Sequence, residues 1–222
     1  MEEYLNPTYY IDSDNPAVVE FASRNCKSGE KEKEIEKAVQ LYNAVRDGIR
    51  YNPYSIEPLK ESMKASSVLN KGHGYCVAKA VLLAACARSQ KIPARLGFAD
   101  VKNHLNTERL RKLMGTDVFV YHGFTELFLN NKWVKATPAF NLTLCNNFNV
   151  KPLEFDGKKD SIFHPLDKSG NKHMEYVKDH GSFADLPWDI LLAAMMKSYP
   201  KYFEDFERRS KDFSAEALKE NQ

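Results

Sequence analysis

Thirteen consecutive residues, Cys76-Val-Ala-Lys-Ala-Val-Leu-Leu-Ala-Ala-Cys-Ala-Arg88, constrain the fold more than any other part of the chain. Alanine and leucine at this density form helix readily. Apolar side chains cover most of the helix circumference rather than one stripe, so this helix needs protein on all sides and becomes a buried central element. Ile92-Pro93 ends it, and the glycine-containing loop from Gly72 to Gly74 leads into it. At 222 residues and 43% apolar content the chain has enough material to surround such a helix, since a chain of this size buries roughly 70–75% of its unfolded surface.

The surrounding layers are legible in outline. Asn15-Pro16 predicts a capped start for a short helix over residues 17–24. Ile35, Val39, Tyr42, Val45 and Ile49 recur at three- and four-residue steps and predict an amphipathic helix over residues 32–49, after the charged linker 27–33. Residues 50–58 read as an extended connection and residues 66–69 as one helical turn. Beyond the central helix, residues 94–101, 118–129 and 133–137 read as strands, the last two joined by the turn Asn130-Asn131-Lys132. Thr107 is placed to cap a short helix over residues 107–113. After Pro138 no periodic segment is expected until Pro187, so this aromatic-rich stretch is read as wrapping loops. Residues 187–196 and 201–211 follow as helices, with residues 214–222 fraying. The expectation is one α+β domain over residues 1–222, with its core at about 32–141: helices first, then an antiparallel sheet on which the helix of Cys76 packs.

Composition excludes several classes. Thirty-two Lys and Arg against thirty Asp and Glu leave a formal charge of +2, far from the basic stripe that nucleic acid demands. The apolar stretches 81–87 and 190–196 are well short of the roughly 20 residues of a membrane helix. The first ten residues lack the pattern of an export signal, so a cytoplasmic location is expected. Cys26, Cys76, Cys86 and Cys145 are widely and irregularly spaced with no CxxC, which argues against a disulfide framework or a zinc site. Cys86, among Ala and Leu, is expected as an inert core thiol, whereas Cys145 is read as open to exposure.

Cys76 carries the chemistry. It enters the first turn of the buried helix, where unpaired N–H groups and the positive end of the helix dipole stabilise negative charge. Such a position is expected to favour a thiolate and to supply donors to an oxyanion. A thiol nucleophile needs a base, and His122, in the predicted strand 118–129, is the candidate. Strand alternation puts His122, Phe124 and Glu126 on one face and Tyr121, Gly123 and Thr125 on the other.

Gly74-Tyr75-Cys76 opening an alanine-rich helix, Lys91-Ile-Pro-Ala-Arg95, His122 with Glu126, and Asn131-Lys-Trp-Val134 occur in that order over residues 38–140. Together they resemble the core of the transglutaminase-like superfamily. The resemblance implies a papain-like fold, with a cysteine on a central helix facing a histidine on an antiparallel sheet. It also implies an Asp a few residues after the tryptophan to orient the histidine. Here that position is Thr137, which offers a hydroxyl but no charge; Asn141 and Asp156 lie downstream as alternatives.

His73, Gly74, Tyr75 and Asp100 are the expected substrate-contacting residues, and His104 could reach the same cleft. His164, His173 and His180 show no compact ligand spacing, so neither metal nor cofactor is expected. The expected activity is thiol-dependent acyl transfer at an amide bond of a peptide or protein, by hydrolysis or transamidation. The alternative is a peptide-binding module of the same fold with weak or no chemistry, which the absent Asp makes credible.

Overall fold

The computed structural model describes residues 1–26, 34–104, 106–162, 174–204 and 212–220. Its centre is the helix expected from composition, Cys76–Ser89, buried at every position from Cys76 to Arg88. Three earlier helices pack on it: α1 (Pro16–Asn25), α2 (Glu34–Gly48) and α3 (Ala65–Lys71), so the central helix is α4. Asn15 caps α1 by accepting the Ala17 N–H at 3.0 Å. The linker 27–33 and the first residues of the expected second helix lie outside the described residues.

The other side of α4 rests on a four-stranded antiparallel sheet built from β3 (Ala94–Asn103), β4 (Val118–Leu129), β5 (Lys132–Ala136) and β6 (Met174–Phe183), in the order β5-β4-β3-β6. Ahead of it, β1 (Arg50–Tyr51) and β2 (His73–Gly74) form a short parallel pair. Asn130 and Asn131 take positive φ, 49° and 63°, and close the β4–β5 hairpin. Between β3 and β4, Thr107 caps α5 (Glu108–Met114) through the Leu110 N–H.

Close approach of helix to sheet depends on Gly123. A Cβ there would sit 2.9–3.3 Å from Val77, in the first turn of α4. Thr125 donates from Oγ1 to the Ala80 carbonyl at 2.9 Å, so this face of β4 is the one that meets α4. Glu126 points the other way and pairs with Arg95 and Ser182.

The region after Pro138 departs from expectation. It holds α6 (Leu142–Asn147) and the ten-residue strand β6, which the sequence hides: β6 is an edge strand, with Met174 its only buried residue. An edge strand presents polar residues on both faces and loses the alternation that marks a strand. The helices α7 (Trp188–Ser198) and α8 (Pro200–Glu204) follow, and residues 205–211 of the second expected helix lie outside the described residues. Residues 213–220 do not fray but form α9 (Phe213–Glu220), with Phe213 and Ala217 buried and Asn147 of α6 donating to the Ser214 carbonyl at 2.8 Å. Cys145 is buried rather than exposed, because α6 turns it inward. The aromatic stretch packs inward too: Phe155 lies 5.2 Å from Tyr42 and Phe148 5.7 Å from Phe213, while Phe163 is outside the described residues.

Candidate active site

Cys76 is the first residue of α4. The loop before it is held by the parallel pair, in which Arg50 N–H donates to the Gly72 carbonyl and Asn52 N–H to the Gly74 carbonyl, both at 3.0 Å. Gly74 permits tight entry into the helix, since a Cβ there would come within 2.8 Å of the Ala78 Cβ. These constraints set the sulfur against β4, where His122 and Cys76 line one cavity of about 20 Å³.

His122 follows a break in its strand. Tyr121 takes a φ of +52°, rare for a bulky residue, and the β3–β4 register shifts between Ala99 and Val101. Bulges of this kind re-aim side chains beside functional sites. Strict alternation therefore holds from Gly123 onward but not across residues 120–122. Side chains from elsewhere hold the break: the Tyr121 N–H donates to Asp100 Oδ1 at 3.0 Å and the Val120 N–H to the Tyr199 hydroxyl at 2.5 Å. Asp100 also meets His180 Nε2 at 2.7 Å, and the His180 ring stacks on Tyr121 with centroids 4.0 Å apart.

The cavity is roofed. Met195 of α7 and Tyr199, the residue that follows this helix, close it on one side, and Tyr51 and Tyr75 line its walls. The roof is tied to the rest of the chain by Tyr202, which donates to the Pro53 carbonyl at 2.7 Å and accepts from the Ile56 N–H at 3.2 Å. Burial pushes the Cys76 thiol up to about 11, against the pull of hydrogen bonds from the backbone at Gly123, Val77 and Cys76 itself. Burial drives the His122 imidazole down to about 3, and hydrogen bonding to the backbone of His122 and Gly123 only partly offsets it. The thiolate expected from the helix terminus is thus not the resting form: desolvation outweighs the N–H groups. At neutral pH the closed site holds a thiol and a neutral imidazole.

The remaining expected residues are distributed unevenly. Tyr75 lines the cavity, and Gly74 acts through backbone packing. His73 is half-buried in β2, away from the cavity lining; burial, then Arg50 and Lys71, lower its pKa. Asp100 serves the bulge. His104 pairs with Glu175 at 2.8 Å on the surface. Thr137 donates its N–H to the Ser161 carbonyl, and its buried Oγ1 has no hydrogen-bond partner among the described residues, so it makes no hydrogen bond to His122. Asn141 accepts the Tyr51 N–H at 3.1 Å, and Asp156 folds onto the Lys158 and Lys159 N–H groups of its own exposed loop. His164 and His173 lie outside the described residues. Sequence reasoning missed the roof residues Met195 and Tyr199 and the pairing of His180 with Asp100. The short apolar run in α7 was visible, but nothing local said what it covers.

Among the described residues no three His, Cys, Asp or Glu side chains gather as a metal set, and no helix is long and apolar enough to cross a membrane.

Residues 21–138 match the family model of the transglutaminase-like superfamily, more than half of the chain and the part that carries α4, β3, β4 and β5. The chain belongs to the transglutaminase-like superfamily. The family match ends at Pro138, so the roof helices α7 and α8 lie outside it. No curated protein matches the sequence. Among solved structures, a crystal structure provisionally described as a cysteine protease from Cytophaga hutchinsonii is similar, at 19% identity and a TM-score of 0.43. The likeness covers 61% of this chain and 40% of that one, less than half of the neighbour's length.

Proposed function

We propose that this chain carries out acyl transfer at an amide bond of a peptide or protein, through a thioester on Cys76 with His122 as the base. The observation that carries the reading is that two side chains 46 positions apart line one small cavity at the start of α4. Family membership supports thiol chemistry at this position.

In this reading the Cys76 sulfur attacks the carbonyl carbon and its proton passes to His122. The developing oxyanion is met by backbone N–H groups at the start of α4. Collapse of the tetrahedral intermediate breaks the C–N bond, and the amine leaves with the proton from His122. Water or a second amine then resolves the thioester. A substrate backbone does not fit a 20 Å³ cavity, so α7 has to move before the reaction begins. Its displacement would also lower the burial that keeps sulfur protonated.

A specific observation favours a second reading, a peptide-binding module: Thr137 does not hydrogen-bond His122, and the resting thiol is neutral. The two separate by trapping the acyl-enzyme with p-nitrophenyl acetate and intact-mass spectrometry. The enzyme reading predicts acetylation of native Cys76, followed by release, abolished in Cys76→Ser and slowed in His122→Ala. Acetylation no faster than in the unfolded chain supports the module.

A further inference from the structure

Tyr75 immediately precedes the nucleophile and is 2% exposed. Its ring lines the cavity that Cys76 and His122 share, and its hydroxyl has no hydrogen-bond partner among the described residues. The contrast with its neighbours is informative. Tyr199 and Tyr202, both close by, place their hydroxyls in pairs of backbone hydrogen bonds. A buried hydroxyl without a partner is unfavourable by about 1–3 kcal/mol, and a phenylalanine would fill the same space without that penalty. A phenol is kept here at a cost to the fold, beside the reactive sulfur.

We infer that the Tyr75 hydroxyl is a hydrogen-bond donor to the substrate carbonyl oxygen during attack by Cys76. The inference rests on the acyl-transfer reading and names a group within it. When the Cys76 S–C bond forms and the carbonyl π electrons move onto oxygen, Tyr75 donates to that oxyanion beside the backbone N–H groups. It keeps its own proton throughout, because the proton lost by sulfur goes to His122 and leaves with the amine. Burial raises the Tyr75 phenol well above its usual range, and the neighbouring Cys76 and Tyr202 add to this, so it stays a neutral donor at any working pH. Removing one oxyanion donor typically costs about 100-fold or more in rate.

The decisive variant is Tyr75→Phe, which removes one oxygen. Three measurements are made on the full chain: acetylation of Cys76 by p-nitrophenyl acetate, alkylation of Cys76 by iodoacetamide, and the urea midpoint of unfolding. Acetylation passes through an oxyanion and alkylation does not. The expected result is acetylation slowed at least about tenfold, alkylation unchanged within about twofold, and an unfolding midpoint equal to or above that of the native chain. A merely structural tyrosine would lower the midpoint and leave acetylation intact, and that result overturns the inference. Equal acetylation in both proteins also overturns it while leaving the acyl-transfer reading standing. If native Cys76 is not acetylated at all, both fall. Should Tyr75→Phe fail to fold, the hydroxyl is structural and the inference is wrong.

Discussion

Lys79 shows how much a single residue in this fold can be asked to do. It lies one turn after Cys76 in α4, wholly buried, and its Nζ donates to the carbonyls of Arg46, Ile49 and Ala139 at 2.6–2.8 Å. Burial pushes its ammonium down to about 7, yet three carbonyl acceptors match three ammonium donors and hold the proton in place. The side chain thereby ties the C-terminal end of α2 and the segment after β5 to the helix that Cys76 opens. Lys79→Met leaves three buried carbonyls unpaired and should destabilise the chain by about 3 kcal/mol or more, measured by urea unfolding; a loss below about 1 kcal/mol contradicts this role. None of this was legible beforehand, since a lysine in an apolar run reads only as an interruption. The places of Cys76 at a helix start and of His122 on a strand were legible because those are local properties. The Asp100–His180 contact was not, because the two residues are 80 positions apart and each alone suits a turn. Thr137 could be located by its distance from Trp133, but not what its hydroxyl would meet.

Among the elements, those with a single dominant cue were read from the sequence nearly as they fold. Capping at Asn15 and Thr107, apolar saturation in α4 and the Asn-Asn turn each rest on neighbours a few residues away. The elements that failed were those whose stability comes from distant packing: β6 at the sheet edge and α9 against α6. The roof helix α7 was expected over residues 187–196 and forms at Trp188–Ser198, but what it covers depends on distant packing and was not legible. The roof's tie at Tyr202 bridges Pro53 and Ile56, so Tyr202→Phe strands a carbonyl and an N–H while leaving the ring in place. The loss of about 1 kcal/mol from a net hydrogen bond corresponds to roughly fivefold more of the open state. Iodoacetamide should therefore alkylate Cys76 about fivefold faster in Tyr202→Phe than in the native chain. A variant that is less stable but alkylated at the native rate would show that α7 and α8 do not gate the cysteine.

At the scale of the whole molecule, a buried neutral histidine makes stability depend on pH. The unfolded imidazole takes up a proton near its ordinary value of 6.5, whereas folded His122 resists until about 3. Between those values unfolding absorbs a proton, so stability is full above the upper one and declines as pH falls through the window, by up to roughly 1.4 kcal/mol per pH unit. Cys76 gives the mirror image at the alkaline end: its folded value near 11 lies above the ordinary 9.0, so stability is lost as pH rises between them. His122→Gln should lose stability less steeply in acid than the native chain, with a urea midpoint that falls less between neutral pH and pH 4. Equal slopes in the two proteins would mean His122 is solvated in the native state.

All of this returns to whether sulfur and imidazole act together. The most direct test is the rate of iodoacetamide alkylation of Cys76 across the neutral to alkaline range, in the native chain and in His122→Ala. A working pair predicts that His122→Ala slows alkylation at neutral pH about tenfold or more and leaves the pH dependence of a lone buried thiol. Identical rates and identical pH dependence in the two proteins would contradict it.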